Sequence, residues 1–351
     1  MDVAAFVNAH RKASMNTKKS VHLKPMAVIG DGSWGTTLAV YLAGQGYDVK
    51  LWGAFPETLA KIRMSRINAK FLPGIPIPDN VDISTDLAAA IAPSGLVILA
   101  VPSKYLGFVL KKIKRLPLEK KVFLSVTKGI ETRSLLRMSQ VIRRELGPVP
   151  LAVLSGPTIA GEVARGIPTT AVIASQNTKL AKTLQEIFNS STFRVYTNPD
   201  VIGLELGGSL KNIIAIACGV CDGLGFGTNA KAAILSRGLV EISRLGVAMG
   251  AKKKTFAGLA GLGDLVTTCI SPQSRNRYVG EQLGRGRRMS DILAQMQMVA
   301  EGVETVKAAV KLAKKYHVAM PISTEVHEII YKGKKAGRAV SDLMNRKLKS
   351  E

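Results

Sequence analysis

The chain has 351 residues, 46% of them hydrophobic and 21% charged, which is long enough for two cores and ordinary for a globular protein. Lys and Arg number 49 against 25 Asp and Glu, a formal charge of +24 that draws anions of every kind, from nucleic acid and acidic lipid to phosphorylated metabolites. The basic runs at 111–115, 252–254, 285–288 and 332–338 lack the interleaved aromatics of a single-strand binding groove and read as solvated faces. Three cysteines are too few for a disulfide scaffold, and no run of eighteen uninterrupted apolar residues occurs, so the expectation is a cytoplasmic protein with no nucleic-acid partner and no transmembrane segment.

Residues 1–25 carry five Lys or Arg against one Asp and no apolar signal core. They read as a disordered basic tail, with an organellar transit segment, or a start at Met15 or Met26, as the alternatives. From Met26 the pattern is a strand ("MAVIG"), a glycine loop, a helix from Ser33 to about Ala43 stopped by Gly44 and Gly46, and a second strand ("YDVKLW"). This predicts a βαβ unit with parallel strands.

Gly30, Gly32 and Gly35 stand in the G-x-G-x-x-G spacing, between strand and helix, where backbone N–H groups and the helix N-terminus hold a pyrophosphate. Asp31 occupies the first variable place. Its carboxylate is expected to turn outward or to take a backbone N–H in the turn. The acid that meets the adenosine ribose ordinarily lies about 20 residues on, at the end of the second strand. That place reads Trp52, Gly53, Ala54, so NAD and NADP both remain open.

Apolar runs at 95–102, 121–129, 150–158, 169–175 and 193–198 lack alternation and suit strands buried on both faces of a covered sheet. After about Val201 the spacing becomes helical. The predicted class is α/β: a Rossmann-like doubly wound sheet over 26–200, followed by an all-helical domain over 201–351.

Four stretches carry chemistry: "VTKG" (126–129), "LSGPT" (154–158), "GGSLKN" (207–212) and "GLAGLGDLVTTCISPQSRNR" (258–277). Lys128 follows a predicted central strand at its C-terminal end, where open α/β sheets place ligands. Lys211 sits in an apolar helix just after two glycines, which are costly there unless something approaches closely; if enclosed, its pKa falls from about 10.4 toward the working pH, as a general acid/base needs. Asp264 is able to accept from a lysine or a substrate hydroxyl, or to serve as a turn carboxylate. Arg275 and Asn276 offer a planar donor fork and an amide for phosphate. The "CGVC" cysteines, Cys218 and Cys221, read as core on their apolar helix, and His10, His22, His317 and His327 form no ligand spacing, so no metal is expected.

Together the stretches "GDGSWGTT", "SVTKGIE", "LSGPTIAGEVARGIPT", "ELGGSLKNIIAIACGVCDGLGFGTNAKAAILSRGL", "GLAGLGDLVTTC", "SRNR" and "AEGVET" resemble, in order, the NAD(P)-dependent glycerol-3-phosphate dehydrogenases. The resemblance spans about Met26 to Arg338. It implies a Rossmann domain, a helical domain and a site in the cleft between them, a homodimer, and reversible hydride transfer between NAD or NADP and dihydroxyacetone phosphate, supplying sn-glycerol 3-phosphate for phospholipids. It assigns Lys211 as proton donor or acceptor for the C2 oxygen, Lys128 beside that oxygen, and Asp264 to the glycerol part. Gly156, Thr158, Asn212 and Thr268 fall to substrate, and Ser274, Arg275 and Asn276 to its phosphate end. Ser33, Trp34, Ala160, Val299 and Glu301, with the loop glycines, Lys128 and Arg275, match positions that meet the dinucleotide. The chain departs from the bacterial pattern at Asp31, usually small and neutral, and at Gly53 and Ala54, where a basic residue is frequent. The rivals are another reductase of the same architecture and a basic nucleic-acid-binding protein.

Overall fold

The computed structural model describes residues 23–296, 298–348 and 350; positions 1–22 of the basic leader, with His10 and His22, lie outside them. Eight strands form one sheet in the order β3-β2-β1-β4-β5-β6-β7-β8: β1 Met26–Ile29, β2 Val49–Trp52, β3 Val81–Ser84, β4 Leu96–Leu99, β5 Val122–Ser125, β6 Leu151–Ser155, β7 Thr169–Ala174 and β8 Phe193–Asn198. Every pairing is parallel except that of β6 with β7. Strands β1, β4 and β6 are buried along their whole length, as a sheet covered by crossover helices requires.

Two edges depart from the sequence expectation. β3 reads Val-Asp-Ile-Ser, four alternating residues with Asp82 exposed, too short and too polar to stand out as an apolar run. At the other edge β8 is not buried on both faces: Phe193 and Val195 are buried, whereas Arg194 and Tyr196, on the opposite face, are exposed, as is Thr197.

After Asn198 the described residues form no further strand. The helices Val201–Gly223 and Thr228–Ala248 lead this half, and its core gathers Leu210, Ile214, Phe256, Leu265, Val306 and Ile329. Val201–Gly223 is long and apolar enough to cross a membrane, with mean hydropathy 1.5 over an 18-residue window, but 89% of that window is buried inside the fold, as befits a core helix. Cys218 and Cys221 lie in it as buried free thiols, and burial pushes the Cys221 thiol up to about 11.

By contacts the chain forms two units. Among the described residues, one takes those up to Thr127 and Met138–Val201; the other takes Lys128–Arg137 and those from Ile202 onward. The expected boundary near residue 200 therefore gains a second feature: a ten-residue segment that follows β5 packs with the helices. Ile130 joins their core, the Gly129 N–H donates to Ser209 Oγ at 2.8 Å, and Arg137 pairs with the buried Glu205.

Candidate active site

In the sheet unit, the glycine loop runs from β1 into the helix Ser33–Gly44. Gly30 has φ +123°, which an L side chain rarely adopts, and a Cβ there would stand 2.8 Å from the Ala100 backbone. A Cβ at Gly35 would lie 1.9 Å from the Gly30 carbonyl, so helix and loop meet without side chains between them. At Gly32, in contrast, a Cβ would meet nothing within 4 Å: the space above the loop is open. Gly32 precedes the helix in an extended conformation and, having no side chain, supplies no N-cap hydrogen bond to the first-turn N–H groups. Open space over uncapped donors at a helix N-terminus fits a pyrophosphate.

Ser33 and Trp34 begin this helix, half-buried. Thr37 Oγ1 donates to the Ala160 carbonyl at 3.1 Å, so the segment after β6 is tied to the same helix. Within it Gly156 has φ +137° and lies against Ala171, and Thr158 Oγ1 donates back to the Gly156 carbonyl at 3.1 Å. The structure thus brings Gly156, Thr158 and Ala160 to the glycine-loop side of the unit.

The helical unit holds the titratable cluster. Asp264, 1% exposed, receives Lys128 Nζ on Oδ2 at 2.6 Å and Lys211 Nζ on Oδ1. Lys211 Nζ also donates to Thr268 Oγ1, and that hydroxyl donates to the Asp264 carbonyl at 2.7 Å. One carboxylate therefore spans two ammonium groups, the more exposed Lys128 and the buried Lys211. Burial is the main influence on Lys211 and lowers its pKa to about 8; Asp264 pulls it back up and the charge of Lys128 pushes it further down.

Local sequence explains how these groups meet. A Cβ on Gly207 would stand 2.4 Å from the Ala260 carbonyl, so the helix bearing Lys211 approaches the backbone at 259–263 directly. Those residues form one wide helical turn, in which the Gly263 N–H donates five residues back to the Gly258 carbonyl. Gly261 has no room for a Cβ either, since it would fall 2.1 Å from the Phe256 carbonyl. The glycines of "GLAGLGD" thereby place Asp264, the first residue of the helix Asp264–Ile270, at the lysines instead of in a cap. On the other side Ser209, not singled out in the sequence, holds Gly129 and so fixes Lys128.

A second group lies around the start of the helix Glu301–Lys315. Asn276 Oδ1 accepts the Gly302 N–H at 2.9 Å, and a Cβ at Gly302 would stand 2.7 Å from the Asn212 carbonyl. Asn212, Asn276 and Glu301 are thus gathered, with the half-buried Val299 just ahead in the chain. Ser274 is committed to its own helix, accepting the Arg277 N–H at 3.3 Å, while Arg275 is exposed. Arg277, the second arginine of "SRNR", is spent on Asp222 and Glu281.

A family model described as NAD-dependent glycerol-3-phosphate dehydrogenase N-terminus matches residues 25–181, and the corresponding C-terminus model matches residues 200–341. A glycerol-3-phosphate dehydrogenase [NAD(P)+] of Chlorobium limicola is 49% identical over 329 residues, covering 93% of this chain and 99% of the relative. One from Geobacter sp. strain M21 is 49% identical over 330 residues, covering 93% and 98%. The crystal structure of glycerol-3-phosphate dehydrogenase from Coxiella burnetii aligns with a TM-score of 0.89 at 39% identity, over 92% of this chain and 99% of that one.

Proposed function

The chain belongs to the NAD-dependent glycerol-3-phosphate dehydrogenase family, and on that premise we propose that Lys211 exchanges a proton with the C2 oxygen of dihydroxyacetone phosphate. The protein is an NAD(P)-dependent oxidoreductase that interconverts this ketone and sn-glycerol 3-phosphate, the backbone for phospholipid synthesis. When bound, the nicotinamide supplies the hydride that C2 receives. As the carbonyl electron pair moves onto oxygen, Lys211 Nζ releases its proton there, and in the reverse direction neutral Lys211 takes the hydroxyl proton. Lys128 places a second positive charge beside the same oxygen where negative charge develops.

Asp264 keeps both ammonium groups pointed at one place and accepts from the glycerol hydroxyls. The observation that carries this reading is that single buried carboxylate shared by Lys128 and Lys211, with the Lys211 pKa lowered to about 8. A proton donor so tuned is mostly charged at neutral pH yet gives up its proton readily. Arg275, exposed at its helix start, is assigned to the phosphate, with Asn276 and Asn212 beside it. Gly32, Ser33, Trp34 and Ala160 are assigned to the dinucleotide, with Val299 and Glu301. A cytoplasmic homodimer is part of the proposal.

The test is the initial rate of NADH and NADPH oxidation with dihydroxyacetone phosphate for the wild type and Lys211→Ala. The variant is expected to lose about 10²- to 10⁴-fold in kcat while still binding dinucleotide. A variant that turns over at the wild-type rate would overturn the role of Lys211.

A further inference from the structure

We propose that Asp31, from the glycine loop, is the acid that receives the adenosine ribose, in place of a residue of β2, and that it makes this protein select NAD over NADP. The inference rests on the reading of the loop as a dinucleotide site. β1 and β2 run parallel with Ile29 opposite Trp52, and the Gly30 N–H donates to the Trp52 carbonyl at 2.8 Å. Asp31 and Gly53 therefore leave the two strand ends side by side. A Cβ at Gly53 would lie 2.6 Å from Asp31 Cγ and 2.9 Å from each carboxylate oxygen. The carboxylate of Asp31 thus fills the space that a side chain at residue 53 would take.

That strand end is where Rossmann units place the Asp or Glu that hydrogen-bonds the ribose 2′-hydroxyl. Trp52, Gly53 and Ala54 bring none; the neighbouring loop delivers one to the same spot. Asp31 Oδ2 is buried and meets no hydrogen-bond donor among the described residues, an arrangement that costs free energy until a donor arrives. Burial accordingly raises the Asp31 pKa, opposed first by the backbone N–H of Asp31 itself and then by the charge of Lys70.

The placement is held from behind. The Asp31 carbonyl accepts from Asn68 Nδ2 at 2.7 Å and from Thr36 Oγ1 at 3.2 Å, and the Asn68 amide also donates to Thr36 Oγ1 at 2.8 Å. Held there, a carboxylate accepts the ribose hydroxyls of NAD and repels the 2′-phosphate of NADP, which would meet like charge in a partly desolvated place.

The experiment measures dissociation constants of NADH and NADPH, by energy transfer from protein to nicotinamide fluorescence, for the full chain, Asp31→Ser, and the double variant Asp31→Ser/Gly53→Asp. The wild type should bind NADH at least about tenfold tighter than NADPH, and D31S should lose about tenfold in NADH affinity while NADPH gains or holds. The double variant, whose acid returns from the residue just after β2 into the space Asp31 leaves, should recover NADH affinity. A D31S variant that unfolds at the wild-type temperature and keeps the wild-type ratio of the two constants within twofold would overturn the inference alone. Binding of neither nucleotide by the wild type would overturn both the inference and the reading of the loop.

Discussion

The glycine loop and the lysine cluster are built in opposite ways. In the loop, backbone is the working part: Gly30 and Gly35 allow main chain to touch main chain, and the groups proposed to meet the dinucleotide are N–H donors that nearly every residue has. In the cluster, side chains are the working part, and they come from positions 128, 211, 264 and 268, brought together by two helices, a wide turn and a segment that follows a strand. Glycine serves both, but in the loop it makes the site and in the cluster it only lets the carriers approach. A site of the first kind depends on conformation, and one of the second on charge and register.

The largest expected effect is on charge. Asp264→Asn leaves two ammonium groups facing one another without a shared counter-ion, and kcat should fall about 10³-fold. The pH profile sharpens the point. On the proposed mechanism ketone reduction needs protonated Lys211, so in the wild type its rate should fall as pH rises through about 8, while oxidation of glycerol phosphate should rise over the same range. Asp264 is what pulls the Lys211 pKa up, so in D264N both breaks should move to lower pH. Breaks that stay in place would mean that another group titrates.

A matched pair of glycine substitutions comes next. Gly35→Ala puts a Cβ 1.9 Å from the Gly30 carbonyl and should weaken NADH binding about 10²-fold. Gly207→Ala puts one 2.4 Å from the Ala260 carbonyl and should lower kcat by about 10- to 100-fold with NADH affinity nearly unchanged. If both variants lost dinucleotide binding equally, the contrast between the regions would fail. The smallest effect is expected at Ser209→Ala, which frees the Gly129 N–H: a loss of about 1 kcal/mol in thermal unfolding and a few-fold rise in KM.

The difference in construction also decides what could be read in advance. The loop was legible because six consecutive residues carry it and the flanking strand and helix have plain apolar patterns. Strands β1, β4, β5 and β6 showed for the same reason, whereas β3, four alternating residues at an edge, left no run to find. Lys128, Lys211 and Asp264 were each visible as a polar residue beside glycines, but their partnership spans 136 and 53 residues and no local pattern encodes it. The roles proposed for them rest on the ordered motifs taken together. Ser209 and Asn68 carry no signal of their own, because a hydroxyl or amide that braces a backbone looks like any other. Asp31 reads in the sequence only as a carboxylate that turns outward or takes a backbone N–H, because its neighbour in space, Gly53, lies just past the next strand.

The ten residues from Lys128 to Arg137 are made with the sheet but packed with the helices, so the chain passes between the two units at three points: 127/128, 137/138 and 201/202. Recombination between relatives therefore has no clean seam. A single crossover near residue 200 would transplant Lys211, Asp264 and Thr268 from one parent and keep Lys128, Ile130 and Arg137 from the other. Each chimera would have to refit a borrowed strip into a foreign helical core. Compatibility of swapped halves should thus follow the match between that strip and its receiving helix Val201–Gly223, where Ser209 and Glu205 grip it, more than the similarity of the exchanged domains as wholes.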